Sequence, residues 1–156
     1  MGFIAGKYAA TLGGSTVGQT ADGIRISHSA SKRLITGDNF ADTVQDAIFR
    51  GLNLFVNYRL MEYNATAARA CFWPYGSSYL TMSTVIGTLD SANASQLILT
   101  ALAGTPAAAA PATVTLPLVI LAEDFDVELL FAPDLREIPI RQRIYPNASG
   151  VFGTLT

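Results

Sequence analysis

Residue types that commonly do chemistry are scarce in this chain of 156 residues, which has one histidine, His28, and one cysteine, Cys71. With one residue of each kind, a zinc site would need unusual oxygen ligands. No serine stands in a G-x-S-x-G context, and nothing places His28 beside a candidate nucleophile. The strand pattern puts His28 with Ile24 and Ile26, which favours a buried or half-buried histidine, and Cys71 is interpreted as a small buried hydrophobe. We therefore expect no enzyme activity, no cofactor and no metal.

Three carboxylates spaced four residues apart, Asp38, Asp42 and Asp46, raise the question of a calcium site. Their spacing does not match an EF-hand loop, and no glycine stands at the turn position that such a loop requires. A solvated acidic loop is the favoured interpretation. The glycine-rich stretch GGSTVG lacks the lysine of a P-loop, so a phosphate cradle is not expected there.

Composition points to one domain, 1–156, with much of its surface covered. Charged residues make up 14% of the chain, well below the usual quarter, although an isolated small domain needs a charged surface for solubility. Copies of the same chain or other partners would provide that cover. The net charge of −2 and the absence of a Lys/Arg run argue against a dedicated nucleic-acid-binding protein.

Residues 91–122 contain no charged side chain, which poses the alternatives of a membrane span and a strand–loop–strand unit. Three prolines and a glycine interrupt the stretch, and a proline costs about 3 kcal/mol inside a helix. We therefore predict two strands, QLILTALAG and TVTLPLVILAE, and no membrane insertion. The small-residue loop between them is predicted to contact a neighbouring subunit through Pro106, Ala109 and Pro111. MGFIAG and the residues after it do not match a signal peptide.

Most of the chain is predicted to form strands separated by turn signals. Several of these strands alternate apolar and polar residues, which is typical of strands with one dry face and one wet face. The predicted fold is mainly β, an antiparallel β-sandwich or barrel with one short flanking α-helix and extended loops or terminal arms. The helix is predicted in NATAARACFW, between the N-cap Asn64 and Pro74. The predicted strands are KYAATL, GIRISHSASKRLI, LNLFVNYRLMEY, LTMSTVIGTL, QLILTALAG, TVTLPLVILAE, FDVELLF and REIPIRQRIYP.

Four of these strands carry their polar residues on one face. The predicted wet faces consist of Arg25, Ser27, Ser29, Asn53, Asn57, Arg59, Asp126, Glu128, Glu137, Arg141 and Arg143. Between the second and third of the predicted strands, TGDNFADTVQDAIFRG is interpreted as a long polar connection.

In pattern and order, most of residues 15–146 resemble bacteriophage tail tube proteins, the major tail proteins that stack as rings. The resemblance lies in VGQTADGIRISHSASKRLITGDNFADTVQDAIFRG, in LNLFVNYRLMEYNATAARACFWPYG and in FAPDLREIPIRQRIYP. It implies a virion protein, assembled in the host cytoplasm, whose six subunits form a ring with a continuous β-lined lumen. The rings would stack around a tape-measure protein and later conduct double-stranded DNA. Sheath, terminator and baseplate proteins are further implied partners.

Under this resemblance, the predicted wet faces are the candidate lumen lining. Ring stacking is assigned to the connecting loop, with Thr36, Asp38, Asn39, Phe40, Asp42, Asp46 and Arg50, and to terminal arms at about 1–8 and 145–156. The acidic net charge suits a conduit that must not retain phosphates, whereas the arginines on the wet faces depart from a purely acidic lining. Two alternatives stay open. One is a tail terminator, tube-initiator or baseplate ring protein on the same fold, and the other is a cytoplasmic β-sandwich module that binds a small apolar ligand.

Overall fold

A computed structural model of the chain describes residues 7–62, 71–78, 80–102, 112–123, 125–129 and 137–156. Eight strands account for most of these residues. They are β1 Tyr8–Leu12, β2 Ser15–Thr16, β3 Thr20–Thr36, β4 Val44–Leu60, β5 Ser95–Ala101, β6 Thr113–Leu121, β7 Ile138–Tyr145 and β8 Thr154–Leu155. A 3₁₀ turn at Asp38–Phe40 and a helical turn at Asp90–Asn93 complete the regular structure of this part of the chain.

The strands form one antiparallel sheet in the order β2-β1-β5-β6-β7-β4-β3. The predicted mainly β, antiparallel fold is therefore confirmed, although the sheet formed by the described strands does not close into a barrel. Strand β6 has different neighbours along one edge: its first residues pair with β8, and its last residues pair with β7.

One face of the sheet carries the hydrophobic core, and we call it the core face. The period-two alternation of the strands builds it, because every second side chain points to the same side of a strand. Helical residues Cys71 and Phe72 pack against this face, which places a second layer on the sheet. The buried cluster comprises Ala10, Leu12, Val17, Val56, Tyr58, Leu60, Cys71, Phe72, Leu97, Leu99, Val114, Leu116, Val119, Ile138, Ile140 and Ile144.

The prolines of β6 and β7 lie where a sheet tolerates a missing N–H. At Pro117 the register between β5 and β6 shifts, as expected for a proline at a bulge. Pro139 pairs with Arg59 in a part of β7 that β6 does not reach, so it stands at a local edge.

Two predicted strands are wrong. Residues 80–89 form turns, because serine and threonine hydroxyls bond nearby backbone groups and compete with strand pairing. The Thr81 hydroxyl accepts from the N–H of Ser78 at 2.9 Å, and the Thr88 hydroxyl donates to the carbonyl of Val85 at 2.7 Å. Residues 125–129 also form no strand, although the side chains alternate in exposure as predicted. An extended segment can therefore alternate between exposed and half-buried side chains without pairing with a neighbouring strand.

Of the predicted helix, the structure describes the last turn, in which Cys71 and Phe72 are helical and the helix ends before Pro74. Its predicted N-cap, Asn64, lies outside the described residues. At the C-terminus, the segment 145–156 returns to the sheet and does not project from it. Thr156 exchanges two backbone hydrogen bonds with Thr113, and Phe152 packs against the core. Residues 1–6 of the predicted N-terminal arm are outside the described part, whereas Tyr8 belongs to β1.

Candidate assembly surface

The most prominent surface feature is the long β3–β4 hairpin, which projects beyond the sheet. Each of its strands has 17 residues, but β7 pairs with β4 only between Leu54 and Leu60. From Val44 to Asn53, β4 therefore has β3 as its only strand neighbour within the described chain, and β3 has only β4. Such a two-stranded ribbon leaves two rows of unpaired backbone groups, which are templates for pairing with another strand.

The core face of the sheet continues onto this hairpin without cover. The register pairs Ile26 with Val56, and Val56 is fully buried, whereas Ile26 is 41% exposed. Farther out, Leu34 and Phe49 on the same face are 61% and 64% exposed. We call this surface the apolar hairpin face; it comprises Ile26, His28, Ala30, Lys32, Leu34, Ala47, Phe49, Leu52 and Leu54.

His28 lies on the apolar hairpin face and is exposed. The prediction of a buried or half-buried histidine is therefore wrong. The strand phase was right, since His28 pairs with Leu54 on the extension of the core face. The error arises because the face continues past the last element that covers it.

On the opposite side of the sheet, which we call the polar face, most of the candidate lumen residues come together. Strand register aligns them in rows, such as Arg25–Asn57–Arg141 and Ser27–Phe55–Arg143. The polar face contains Arg25, Ser27, Ser29, Asn53, Asn57, Arg59, Arg141 and Arg143, and Glu137 reaches it through Arg59. Asp126 and Glu128 lie in the non-strand segment 125–129 and do not belong to these rows.

Two groups of charges stabilise the polar face. Arg143 binds both carboxylate oxygens of Glu123, with Nε at 2.7 Å from Oε2, and its Nη1 donates to Asn53. These hydrogen bonds, with a smaller contribution from Arg141, lower the pKa of Glu123 to about 2. Arg143 and Arg141 also lie over the ring of Phe55, at 4.5 and 4.2 Å from its centroid.

At the base of the hairpin, Arg59 lies between two acids. Its Nη1 is 3.2 Å from Glu137 and 3.6 Å from Asp22. Asp22 and Gly23 have positive φ angles of 58° and 74°, and the register between β3 and β4 shifts there. The left-handed residues therefore form a bulge that bends β3 and turns Asp22 towards Arg59.

The candidate ring-stacking loop is shorter than predicted. Thr36 ends β3, and β4 already begins at Val44, so Asp46 and Arg50 are strand residues. The connection itself is 37–43, which we call the hairpin tip; it contains Asp38, Asn39, Phe40 and Asp42. Residues 44–50 were grouped with the polar connection because they do not alternate between apolar and polar side chains, and a ribbon exposed on both faces needs no such alternation. The candidate inter-subunit loop, with Pro106, Ala109 and Pro111, lies outside the described residues.

A second exposed apolar surface was not found from the sequence. Residues 80–89 present large side chains that are 64–89% exposed: Leu80, Met82, Val85, Ile86 and Leu89. The loop is held at its base, where the hydroxyls of Tyr75 and Tyr145 donate to the two oxygens of Asp90 at 3.0 and 3.2 Å. The absence of any charge in LTMSTVIGTL was the available signal, but it was interpreted as a strand.

The buried polar groups of the core satisfy one another. The hydroxyl of Tyr58 lies 2.9 Å from Oε1 of Gln142 and 3.2 Å from the thiol of Cys71, while Nε2 of Gln142 donates to the Cys71 carbonyl. Burial raises the pKa of the Cys71 thiol to about 11 and raises that of Tyr58 well above its ordinary value. Cys71 is thus buried, as predicted, and its thiol is a structural group.

Within the described ranges, no group of three or more His, Cys, Asp and Glu residues is placed to hold a metal ion. No helix in the same part of the chain has the length and apolarity needed to cross a membrane. The chain matches no protein-family model and no curated protein. The surfaces described above are therefore the basis for any functional assignment.

Proposed function

We propose that the chain is a structural virion protein that self-assembles into stacked rings of six subunits and so forms a phage tail tube. The observation that carries the proposal is the projecting hairpin. Its two open edges and its uncovered apolar face are unsuited to an isolated subunit, because exposed strand edges and large apolar patches promote association. Neighbouring copies would pair with the edges and cover the apolar hairpin face.

The distribution of polarity supports a hollow assembly. When the ribbons of adjacent subunits join edge to edge, their polar faces form one continuous surface, and the apolar faces form the other. A water-filled lumen requires the polar face to point inwards. In this proposal the lumen holds a tape-measure protein and later conducts double-stranded DNA, and sheath, terminator and baseplate proteins bind the outside or the ends.

Purified protein examined by negative-stain electron microscopy tests the proposal. We expect hollow rings and, at higher concentration, tubes of constant diameter. Single rings that never stack would instead favour a terminator, tube-initiator or baseplate ring protein. A chain that stays a dispersed monomer at all concentrations contradicts the proposal.

A further inference from the structure

The polar face has more positive charge than its own acids neutralise. Arg59 is paired with Asp22 and Glu137, and Arg143 occupies both oxygens of Glu123. Arg25 and Arg141 form no ion pair within the part of the chain that the structure describes, and both are exposed. Arg33, farther out on the same face of β3, is also exposed and forms no ion pair among the described residues, so Arg25 and Arg141 are distinguished by lying in one row near the base of the hairpin.

Arg25 and Arg141 belong to the same row of the sheet. Both are in register with Asn57, which stands between them on β4. Neighbouring strands are about 4.8 Å apart, so the two arginines flank a polar strip about 10 Å wide. Phe55, in the next row, contacts Arg141 at 4.2 Å and adds an aromatic surface. We call Arg25, Asn57 and Arg141 the arginine row.

The hairpin tip has the complementary properties. Asp38 and Asp42 are exposed on either side of Phe40, which is itself 62% exposed. No lysine or arginine occurs between Gly37 and Thr43. The tip thus presents two carboxylates around an aromatic ring. The arginine row presents two guanidinium groups next to the aromatic ring of Phe55.

We propose that the arginine row of one subunit receives the hairpin tip of a second copy of this chain. This inference rests on the proposed function and adds the stacking contact to it. The tip and the row are different surfaces of one hairpin, so the contact is head-to-tail. Such a contact gives an open stack when the rotation between successive copies does not close into a ring. Thr36, the end of β3, lies eleven positions after Arg25, which corresponds to an axial repeat of about 36 Å at 3.3 Å per residue.

A second copy of this chain fits the charge of the arginine row better than a nucleic acid does. Phosphate recognition depends on many cations, whereas the chain carries a net charge of −2 and the row offers two unpaired arginines. The tip supplies two carboxylates for these arginines, and its Phe40 ring would lie beside their guanidinium groups. Charge complementarity of this kind mainly sets the register and selects the partner.

Site-specific cross-linking tests the contact directly. The natural thiol, Cys71, is fully buried, so cysteines introduced by Asn39→Cys in the tip and Ser27→Cys beside the row are the only accessible thiols. Within one subunit these positions are too far apart for a short bis-maleimide, because most of β3 lies between them. We expect a ladder of covalent multimers from the double variant, and no multimers from either single variant.

The outcomes separate this inference from the proposed function. If the wild type forms tubes but the double variant gives no ladder, the tip–row contact is wrong and the tube proposal stands. Covalent dimers from a single variant would show a two-fold contact and would also overturn the tip–row contact. A wild-type chain that remains monomeric overturns both proposals.

Charge reversal provides a second readout in the full chain. We expect Asp38→Lys with Asp42→Lys, or Arg25→Glu with Arg141→Glu, to raise the protein concentration needed for tube growth by about tenfold. Mixing the two reversed proteins should restore growth in alternating order. Asp126→Lys, which changes an exposed acid outside both surfaces, is the matched control. If the arginine variants grow normal tubes and instead lose affinity for a short DNA duplex, the row binds phosphates and the inference is overturned.

Discussion

Tyr58 donates its hydroxyl proton to Oε1 of Gln142 across 2.9 Å and thereby links β4 to β7 inside the core. Gln142 is fully buried, and it is in register with Val56 on the core face. A polar side chain in this position is tolerated because its amide nitrogen also donates to the carbonyl of Cys71, at 3.1 Å.

Replacing Gln142 with leucine should destabilise the subunit by about 2–4 kcal/mol, because the Tyr58 hydroxyl and the Cys71 carbonyl lose buried partners. Urea unfolding followed by fluorescence measures the change. The double variant with Tyr58→Phe should cost less than the sum of the single variants, since it removes both partners of one hydrogen bond. The exposed Gln96→Leu is the control, with an expected change within about 0.5 kcal/mol. Strict additivity would contradict the coupling.

Cys71 should be nearly unreactive in the folded chain. A rise in its pKa from 9.0 to about 11 lowers the thiolate fraction at pH 8 about a hundredfold, and burial further blocks the reagent. A thiol-reactive dye should therefore label one thiol per chain in denaturant and label the native protein at least about a hundredfold more slowly. Equal rates in the two states would show that the helix bearing Cys71 opens readily.

The Glu123–Arg143 pair should stabilise the fold in a defined pH range. The pKa of Glu123 is lowered from 4.5 to about 2, so its contribution is present above pH 4.5 and is lost as the pH falls towards 2. The Glu123 side chain is 52% exposed, and solvent screening limits the contribution to about 1 kcal/mol. Glu123→Gln should lower the unfolding free energy by this amount at pH 7, and the effect should shrink as the pH falls from 4.5 through 2. Glu128→Gln, at an exposed position of the segment 125–129, is the control.

Two neighbouring residues distinguish the faces of the hairpin. Phe49 and Ile48 are 64% and 53% exposed but point to opposite sides of β4, with Phe49 on the apolar hairpin face. Phe49→Lys should abolish ring formation, whereas Ile48→Lys should preserve it, because lysine is compatible with a water-filled lumen. Both monomers should keep their wild-type melting temperature, since neither side chain is in the core. Electron microscopy of both variants shows which of them forms rings. Rings from Phe49→Lys but not from Ile48→Lys would mean that the apolar hairpin face points inwards.

Strand phase was predictable from the sequence wherever a strand packs on the core. Ile138, Ile140 and Ile144 are buried, and Arg141 and Arg143 lie on the polar face, as their alternation predicted. The same alternation gave the correct face for His28 but the wrong exposure. Periodicity reports which side chains share a face; it carries no information about where the covering layer stops.

The assembly surface was less predictable because its residue patterns are also typical of other local structures. Residues 44–50 were interpreted as part of a polar loop, although Val44, Ile48 and Phe49 are exposed apolar residues of β4. A ribbon exposed on both faces needs no alternation of apolar and polar side chains, so the usual strand pattern is missing. Residues 80–89 looked like a strand because they carry no charge and include several β-branched side chains. However, Ser78, Thr81 and Thr88 form local hydrogen bonds that compete with strand pairing. Packing on residues distant in sequence decides such cases.

The two hydrogen bonds from Tyr75 and Tyr145 to Asp90 also affect the thermodynamics of association. An apolar loop that moved freely would lose conformational entropy on meeting a partner, and that loss would weaken the complex. Here the base of the loop is fixed before any encounter, by two hydroxyl donors on one carboxylate. Leu80, Met82 and Ile86 are therefore presented on a preorganised support, and more of the free energy from covering them remains available for binding.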